Sequence, residues 1–582
     1  MDSVASLDCG VRLTAHPASI LKLPAEIMLE ILSLLDVSDL LEVRQTCMVI
    51  CRLSQDRSVW LRMLLNRRSQ VPIPPPYDGD PIKSTHTMSP EALERLVLSI
   101  YYTEHSWLLP RAPPILLGLP DQPTNVHISE QGGNAALLMD VLADRWLLVV
   151  YVEGLVRIWD LYVQGTTPAS TYRRAGLLPQ IDCCFSLQLS IDSPLSSACA
   201  SMNEEGTAIL ITPVSQSTFT VLGVQLPSSA GIHVTRQLDI IADMTHVWRL
   251  PSPTLMVRAI HPASRLAFFS YSDTLVLLQW DCGKVWQLRT IDQVVDEEIW
   301  TGITDAKFVS PRHILCVKTH DVELLTLPST FAPQPGLPKC SVFDTDMPCE
   351  HIPIRASPHF FGLTFRGVSM SEAQITPGGR HAETRVRISF LAYDILRGLF
   401  HYRVSVLLPP TAATDGIMHD EPPPHMSVRL LAVHRLAQLY ATTGEAATNV
   451  PRSRSGFTPG SRGFVSACFM GRTGKRGVWI ERRRGSMQRN VIAFSTALDA
   501  LGEEDAADDG LENTPGGRTG GQSDSETDQQ DWTLHSEARP IDGRVIYEVN
   551  SYDLRDDITR CAFAEAMGTV ILGNRKGDLK LL

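Results

Sequence analysis

Trp146-Leu147-Leu148-Val149-Val150-Tyr151-Val152, then Glu153-Gly154, then Leu155-Val156-Arg157-Ile158-Trp159-Asp160-Leu161 is the stretch on which the fold of most of this chain turns. The first run is apolar throughout and strand-length, which reads as a strand covered on both faces. Glu153-Gly154 supplies a tight reversal, because glycine reaches the positive-φ conformations such turns need. The second run then returns antiparallel to the first.

Working outward, similar hairpins recur around Glu205-Gly206, Ser272-Asp273, His320-Asp321, Asp394–Gly398, Gly471–Gly477 and Asn574–Gly577. Hairpins at intervals of about 50–100 residues, with few helices between them, disfavour a parallel α/β sheet and suggest one propeller of about seven blades. The chain is expected to stop on an inner strand, after Thr569–Gly573 and Gly577–Leu582. A strand from about 114–127 is then expected to complete the last blade and remove an exposed edge. Two long insertions are expected to be disordered, at about 409–460 and 503–538. The first includes Pro422-Pro423-Pro424, although Val428–Tyr440 is apolar enough to form a strand or a short helix. The second holds ten acidic residues between 503 and 531 against Arg518 alone, so it buries too little apolar area to offset its ordering entropy. Ser523 and Ser525 each have an acid three residues on, a pattern suited to an acid-directed kinase.

Before about Asn125 the period is helical. Residues 1–17 are expected to be a flexible N-terminus, 18–66 three short helices, 67–118 a linker, and 119–582 the β domain. The linker is proline-rich from Val71 to His86 and carries a helix at about 89–104 that sets the distance to the β domain. Ser89 suits that helix as N-cap and Pro90 as its first residue, and Leu93, Leu96, Val97, Ile100 and Tyr101 share one face. In the N-terminal segment, Pro24 and Glu26 suit a helix start, and Ile27, Ile31, Leu34 and Leu35 make an apolar stripe. Three helices in so few residues cannot bury all this apolar surface among themselves. Each large aliphatic side chain left in water forgoes about 1.5–3 kcal/mol. Such a module docks either on a partner's helices or on its own β domain.

Leu23-Pro24-Ala25-Glu26-Ile27, with Ile31, Leu35, Leu40-Leu41, Cys47, Arg52-Leu53 and Trp60, resembles an F-box in order and without gaps. The resemblance implies docking on a Skp-type adaptor and, through it, membership of an SCF-type cullin–RING ubiquitin ligase. By it Leu23, Pro24, Ile27, Ile31, Leu34, Leu35, Leu40, Leu41, Val43, Cys47 and Trp60 would form the adaptor-binding and packing set. One departure stands out: Met48-Val49-Ile50 replaces the basic and aromatic residues many F-boxes carry there. In the β domain, Leu147–Asp160 and Leu266–Asp281 resemble the closing part of a WD repeat, ending in Trp159-Asp160 and Trp280-Asp281. The other hairpins lack that dipeptide, and no Gly-His pair opens a blade. The combination implies a substrate-recognition subunit whose propeller binds the target protein. A scaffold that uses the propeller as a docking platform without ubiquitin transfer is the alternative.

Composition sets outer bounds. The 582 residues are 44% hydrophobic and 20% charged, and 52 basic against 64 acidic residues give a net charge of −12. That argues against a general nucleic-acid binder. No run reaches the ~20 apolar residues needed to span a bilayer, and Met1-Asp2-Ser3-Val4 does not open a secretory signal. Twelve irregularly spaced cysteines suit reduced thiols in the cytoplasm or nucleus.

No nucleotide-binding, zinc-protease or serine-hydrolase motif is present. Gly471-Arg472-Thr473-Gly474-Lys475 lacks the phosphate-loop spacing. Cys340, Cys349, His351 and His359 are spaced unlike a structural zinc site. Cys47 and Cys51 read as packing residues, and Cys183 and Cys184 as strand neighbours on opposite faces. The expectation is a non-catalytic protein without metal or cofactor. One charged cluster is a candidate partner-binding site: Arg472, Lys475, Arg476, Arg482, Arg483 and Arg484, with Arg489 nearby. Arginine forks suit a phosphorylated or acidic partner. A solvated strand–loop face, or a counter-charge for the acidic insertion, would explain the same residues.

Overall fold

The computed structural model describes residues 22–67, 72–73, 88–111, 114–116, 135–162, 181, 183–216, 218–227, 238–241, 245–249, 255–271, 274–281, 284–289, 302–327, 354–356, 363–376, 383–395, 397–409, 424–436, 463–483, 485–496 and 538–582. The N-terminus expected as 1–17, most of both insertions, Ser523, Ser525 and the Cys340–His359 group lie outside these residues. The chain divides at Tyr102/Thr103 into two compact units.

The first unit contains α1 (Ala25–Leu34), α2 (Val37–Val43), α3 (Met48–Leu53), α4 (Arg57–Arg67) and most of α5 (Pro90–Ser106). Four helices thus occupy the segment where three were expected. The extra break falls between α2 and α3. There the Thr46 hydroxyl donates to the Val43 carbonyl at 2.7 Å and Cys47 is fully extended at φ −156°. A hydroxyl bonding back to the chain in this way competes with helix continuation. Polar caps set the later starts. Asp56 accepts from the Ser58 amide and hydroxyl at 2.8 and 2.6 Å, which holds its carboxyl below the usual range. Ser89 Oγ accepts the Ala92 amide at 3.3 Å, so α5 begins at the expected pair Ser89-Pro90.

The core of this unit joins Met28, Leu32, Val37, Leu40, Ile50, Val59 and Trp60 to Leu93, Leu96, Val97 and Ile100. The apolar face expected for the fifth helix is the one that is buried. It completes the module's core as far as Tyr102 instead of serving as a linker. Arg44 donates to Glu94 at 2.6 Å and ties α2 to α5. That bond, with the carboxylate beside it, raises the Arg44 pKa.

The second unit is a seven-bladed β-propeller made of seven separate sheets. Blade 1 spans residues 136–188, blade 2 197–249, blade 3 256–289, blade 4 303–356, blade 5 367–435, blade 6 463–550 and blade 7 558–581, the last completed from upstream. The first strands of successive blades touch one another in order, and that of blade 7 touches that of blade 1, so the ring closes. Each of the hairpins read from the sequence falls in a different blade. The Ser272-Asp273 turn itself lies outside the described residues, between paired strands Leu266–Tyr271 and Thr274–Gln279.

The opening stretch shows why its apolar run is unbroken. Trp146, Leu148 and Val150 pack with Ile209, Ile211 and Leu222 of blade 2. Leu147, Val149 and Tyr151 pack with Ala562, Ile571 and Leu579 of blade 7. A strand inside a blade is buried on both faces, so the alternation of an ordinary half-exposed strand disappears. Its turn needs Gly154, whose φ is +83° and whose added Cβ would lie 2.8 Å from Ile191 Cδ1.

Closure uses Ile115–Leu116, which pairs antiparallel with Leu579–Leu581 (Ile115 opposite Leu581). This is the strand expected to complete the last blade; residues 117–127 lie outside the described set. The C-terminal strand Leu579–Leu581 is the third of its blade, not an inner strand, because Ile558–Ala564 is innermost and Ile115–Leu116 outermost. The propeller also begins earlier than the expected residue 119. Trp107 is 1% exposed, packs against Phe563 with ring centroids 5.0 Å apart, and donates its indole N–H to the Phe494 carbonyl at 2.9 Å. Arg111 donates to the Gly568 carbonyl at 2.6 Å. We expect Trp107→Ala to destabilise the propeller by about 3–5 kcal/mol in denaturant unfolding.

In blade 5 the apolar segment left open between strand and helix is a strand, His425–Arg435, on the outer side of the sheet.

Candidate functional site

Two surfaces are open to assessment: the apolar face of α1 with its surroundings, and the basic cluster on blade 6. Helix α1 carries two apolar stripes. Met28 and Leu32 face the core at 3% and 2% exposure, whereas Ile27 and Leu34 face out at 49% and 68%. Leu23 and Pro24 precede them on the surface, and Ile31 is half-buried between them. Ile27, Ile31 and Leu34 follow i, i+4, i+7 spacing, so they share one side of the helix.

The structure therefore separates residues that the sequence left together. Leu23, Pro24, Ile27, Ile31 and Leu34 present an outward apolar stripe. Leu35, Leu41, Val43 and Cys47 are half-buried against the core. Leu40 and Trp60 are fully buried and hold the module together instead of offering contact area. Sequence reasoning missed Met48 and Val49, at 68% and 52% exposure on α3, a helix that touches α1. The signal was the departure at Met48-Val49-Ile50. Only Ile50 is core, and the two residues before it add apolar surface where a solvated helix would carry charge.

Among the described residues the basic cluster does not form one surface. On strand Arg476–Arg483, Arg476 is 4% exposed and lies 6.0 Å from the Trp107 ring. Arg489 is 1% exposed and donates to Asp557 at 2.6 Å, joining blades 6 and 7 by a buried ion pair. Arg472 pairs with Glu372 of the neighbouring blade at 2.5 Å. Arg482 stacks over Phe464 at 5.4 Å, and Lys475 is half-buried. The Arg483 side chain and Arg484 lie outside the described set. Strand alternation sends Arg476 inward while Arg472 is tied across to blade 5, so these charges are structural in large part.

Beside Arg472 lies a polar joint linking three blades. Asp144 of blade 1 accepts the Glu565 amide of blade 7 at 2.6 Å, and the Glu565 carboxylate accepts the Thr473 amide of blade 6 at 2.8 Å. Burial, with the Glu565 carboxylate beside it, pushes the Asp144 carboxyl up to about 7, while Arg472 opposes the shift. Burial likewise raises Glu565. Between the ordinary carboxylate pKa and about 7, the folded protein keeps a proton at Asp144 that the unfolded chain has released. Stability from this group is therefore present at low pH and is lost as pH rises through about 7. Asp144→Asn retains the carbonyl acceptor and removes the charge. We expect it to melt higher than the parent at pH ~8, with the difference fading toward pH ~5.

The two WD-like dipeptides are structural too. Asp160 accepts from Arg145 at 2.9 and 2.7 Å, and Asp281 pairs with Arg265 at 3.5 Å. In both blades the arginine sits in the preceding hairpin turn, so the aspartate staples the third strand to that turn. Among the described residues no group of three or more His, Cys, Asp or Glu side chains is placed to hold a metal ion. No described helix is long and apolar enough to cross a membrane.

Residues 20–66 match the F-box-like family model. A search of curated proteins found no match. Among solved structures the chain is similar to the β-propeller domain of Myceliophteria thermophila Cps50 (Swd1), at 10% identity and a TM-score of 0.38, covering 77% of this chain and 96% of that one. It is also similar to the WD40 domain of SCAP from fission yeast, at 8% identity and a TM-score of 0.34, covering 77% and 81%. A third is the WD40 β-propeller domain of Doa1, at 12% identity and a TM-score of 0.32, covering 77% and 93%. The closed ring of seven sheets, rather than these distant likenesses, establishes the propeller. The chain thus joins an F-box-like helical module to a seven-bladed, WD-repeat-like β-propeller.

Proposed function

We propose that the protein is a substrate-recognition subunit of an SCF-type cullin–RING ubiquitin ligase. The F-box-like module docks on a Skp-type adaptor, and the propeller binds the target protein. The observation that carries this reading is the outward stripe of α1, with Leu34 at 68% exposure in a module that already has a complete core. Burying such side chains against a partner's helices recovers apolar area that the module's own fold leaves in water. The protein itself performs no chemistry in this reading. It contributes proximity and orientation to a transfer carried out by other subunits.

Capture of the tagged chain from its own cells tests this, beside a Leu23→Ala, Pro24→Ala double variant. The wild type is expected to bring down adaptor and cullin, the variant neither. Proteins retained by both forms are candidate targets, and they should accumulate when the module is disabled. If the adaptor is captured but the retained proteins turn over at the same rate, the propeller acts as a scaffold without ubiquitin transfer.

A further inference from the structure

Arg482-Arg483-Arg484-Gly485-Ser486-Met487 runs through the turn between the second and third strands of blade 6, Arg476–Arg483 and Gln488–Ser495. The turn holds the same place in its blade as Glu153-Gly154 in blade 1. Ser486 has arginine two and three residues before it and an apolar methionine directly after. No other serine or threonine of the 582 residues has a basic residue at both of those preceding positions.

The fold presents this serine at an accessible place. Gly485 is exposed at φ +71°, and a Cβ added there would meet no heavy atom within 4 Å, so the tip of the turn stands in open space. Met487 is 40% exposed. Ser486 is half-buried, and its Oγ accepts the Gln488 amide at 3.0 Å, a bond made with an oxygen lone pair and not with the hydroxyl proton. The last pair of the hairpin is Arg482 opposite Arg489, so residues 483–487 lie beyond its ladder. Arg483 pairs sideways with Gly463, and the Met487 carbonyl accepts the Ser551 amide at 3.0 Å. A turn held by so few bonds opens at a small fraction of the cost of unfolding a blade. Ser369 is the contrast. Arg366 stands three residues before it and Met370 directly after. Yet Ser369 lies in the innermost strand of blade 5, Gly367–Met370, and its hydroxyl accepts the Met470 amide of blade 6 at 2.9 Å. Reaching it would require opening the ring.

We propose that Ser486 is a phosphorylation site for an arginine-directed protein kinase. Such an enzyme takes its substrate as an extended segment, so the order of residues along the opened turn decides recognition. Carboxylates in its groove would pair with the guanidinium forks of Arg483 and Arg484, and an apolar pocket would take Met487. In the transfer, Ser486 Oγ bonds to the γ-phosphorus of magnesium-bound ATP and the bond from that phosphorus to the ADP oxygen breaks. The hydroxyl proton passes to the kinase's own catalytic carboxylate, and the products are phosphoserine and ADP. The ester adds a charge of about −1.5 to −2 to the turn. That charge falls next to the segment that bonds Met487 through Ser551 and presents Tyr552 at 82% exposure. The proposal rests on neither the adaptor reading nor the target-binding reading.

Incubation of the folded full-length chain with the catalytic subunit of cyclic AMP-dependent protein kinase and magnesium ATP tests it, with the phosphate located by tandem mass spectrometry. Ser486 is expected to be phosphorylated nearly to completion and Ser369 not at all. Ser486→Ala should remove the signal at the turn. Arg483→Gln with Arg484→Gln should slow incorporation at Ser486 at least about tenfold, the effect of losing charged hydrogen bonds to the enzyme. Melting curves that match the parent's show that each variant is still folded. Three results would overturn the proposal: Ser486 left unmodified in the folded chain, Ser486 modified only after heat unfolding, or the double arginine variant modified as fast as the parent. Any of these, with adaptor capture intact, would leave the adaptor reading standing.

Discussion

Replacing Ile27 and Leu34 together by glutamate is expected to abolish binding to a Skp-type adaptor while leaving the melting temperature of the chain nearly unchanged. Both side chains are already in water, at 49% and 68% exposure, so charges there cost the isolated fold little. In a complex the same charges would be buried against apolar side chains without partners, a penalty of several kcal/mol per group. Loss of affinity of at least about a hundredfold follows, since every 1.4 kcal/mol is about tenfold. Leu40→Glu is the informative contrast, because Leu40 is fully buried in the module's core. It should also abolish binding, but by unfolding the helical unit, visible as lost helical signal. Calorimetry and circular dichroism of the two variants side by side separate contact from core.

The second large effect concerns the ring. Arg489 and Asp557 are 1% and 6% exposed and joined at 2.6 Å between blades 6 and 7. Removing one partner strands the other charge in the interior, and Asp557→Ala is expected to destabilise the propeller by about 3–5 kcal/mol. Arg489→Met combined with Asp557→Leu removes both charges together and should recover much of that loss. Denaturant unfolding of the three variants reads this directly. If the single change lowered stability no more than the double, the pair would be solvated in solution and the buried-joint description would fail.

How far the sequence could be read depended on whether the relevant physics is local. The blade strands were legible because a doubly buried strand such as Trp146–Tyr151 is apolar at every position. The Ser89-Pro90 start of α5 was legible because capping needs only neighbours. The division of α2 from α3 was not, since it depends on the conformation of Cys47 and on one hydroxyl, Thr46. The role of α5 was missed for a different reason. Leu93, Leu96, Val97 and Ile100 announce a buried face, but which core they complete is a long-range fact.

The charged cluster on blade 6 shows the same limit. Residues 472–489 are dense in arginine along the chain, yet pleating and the neighbouring blades draw Arg476 and Arg489 inward. For the F-box-like module, only three-dimensional packing assigns Trp60 and Leu40 to the core and Met48 and Val49 to the surface.

On the proposed function, the outward stripe of α1 is the docking surface for a Skp-type adaptor. Isothermal titration of the purified full-length chain with a purified adaptor tests it most directly. Saturable binding with a negative heat-capacity change, the mark of apolar surface leaving water, is expected, as is loss of that signal with the Ile27→Glu, Leu34→Glu variant. Absence of binding by the folded wild type, or equal binding by the variant, would contradict it.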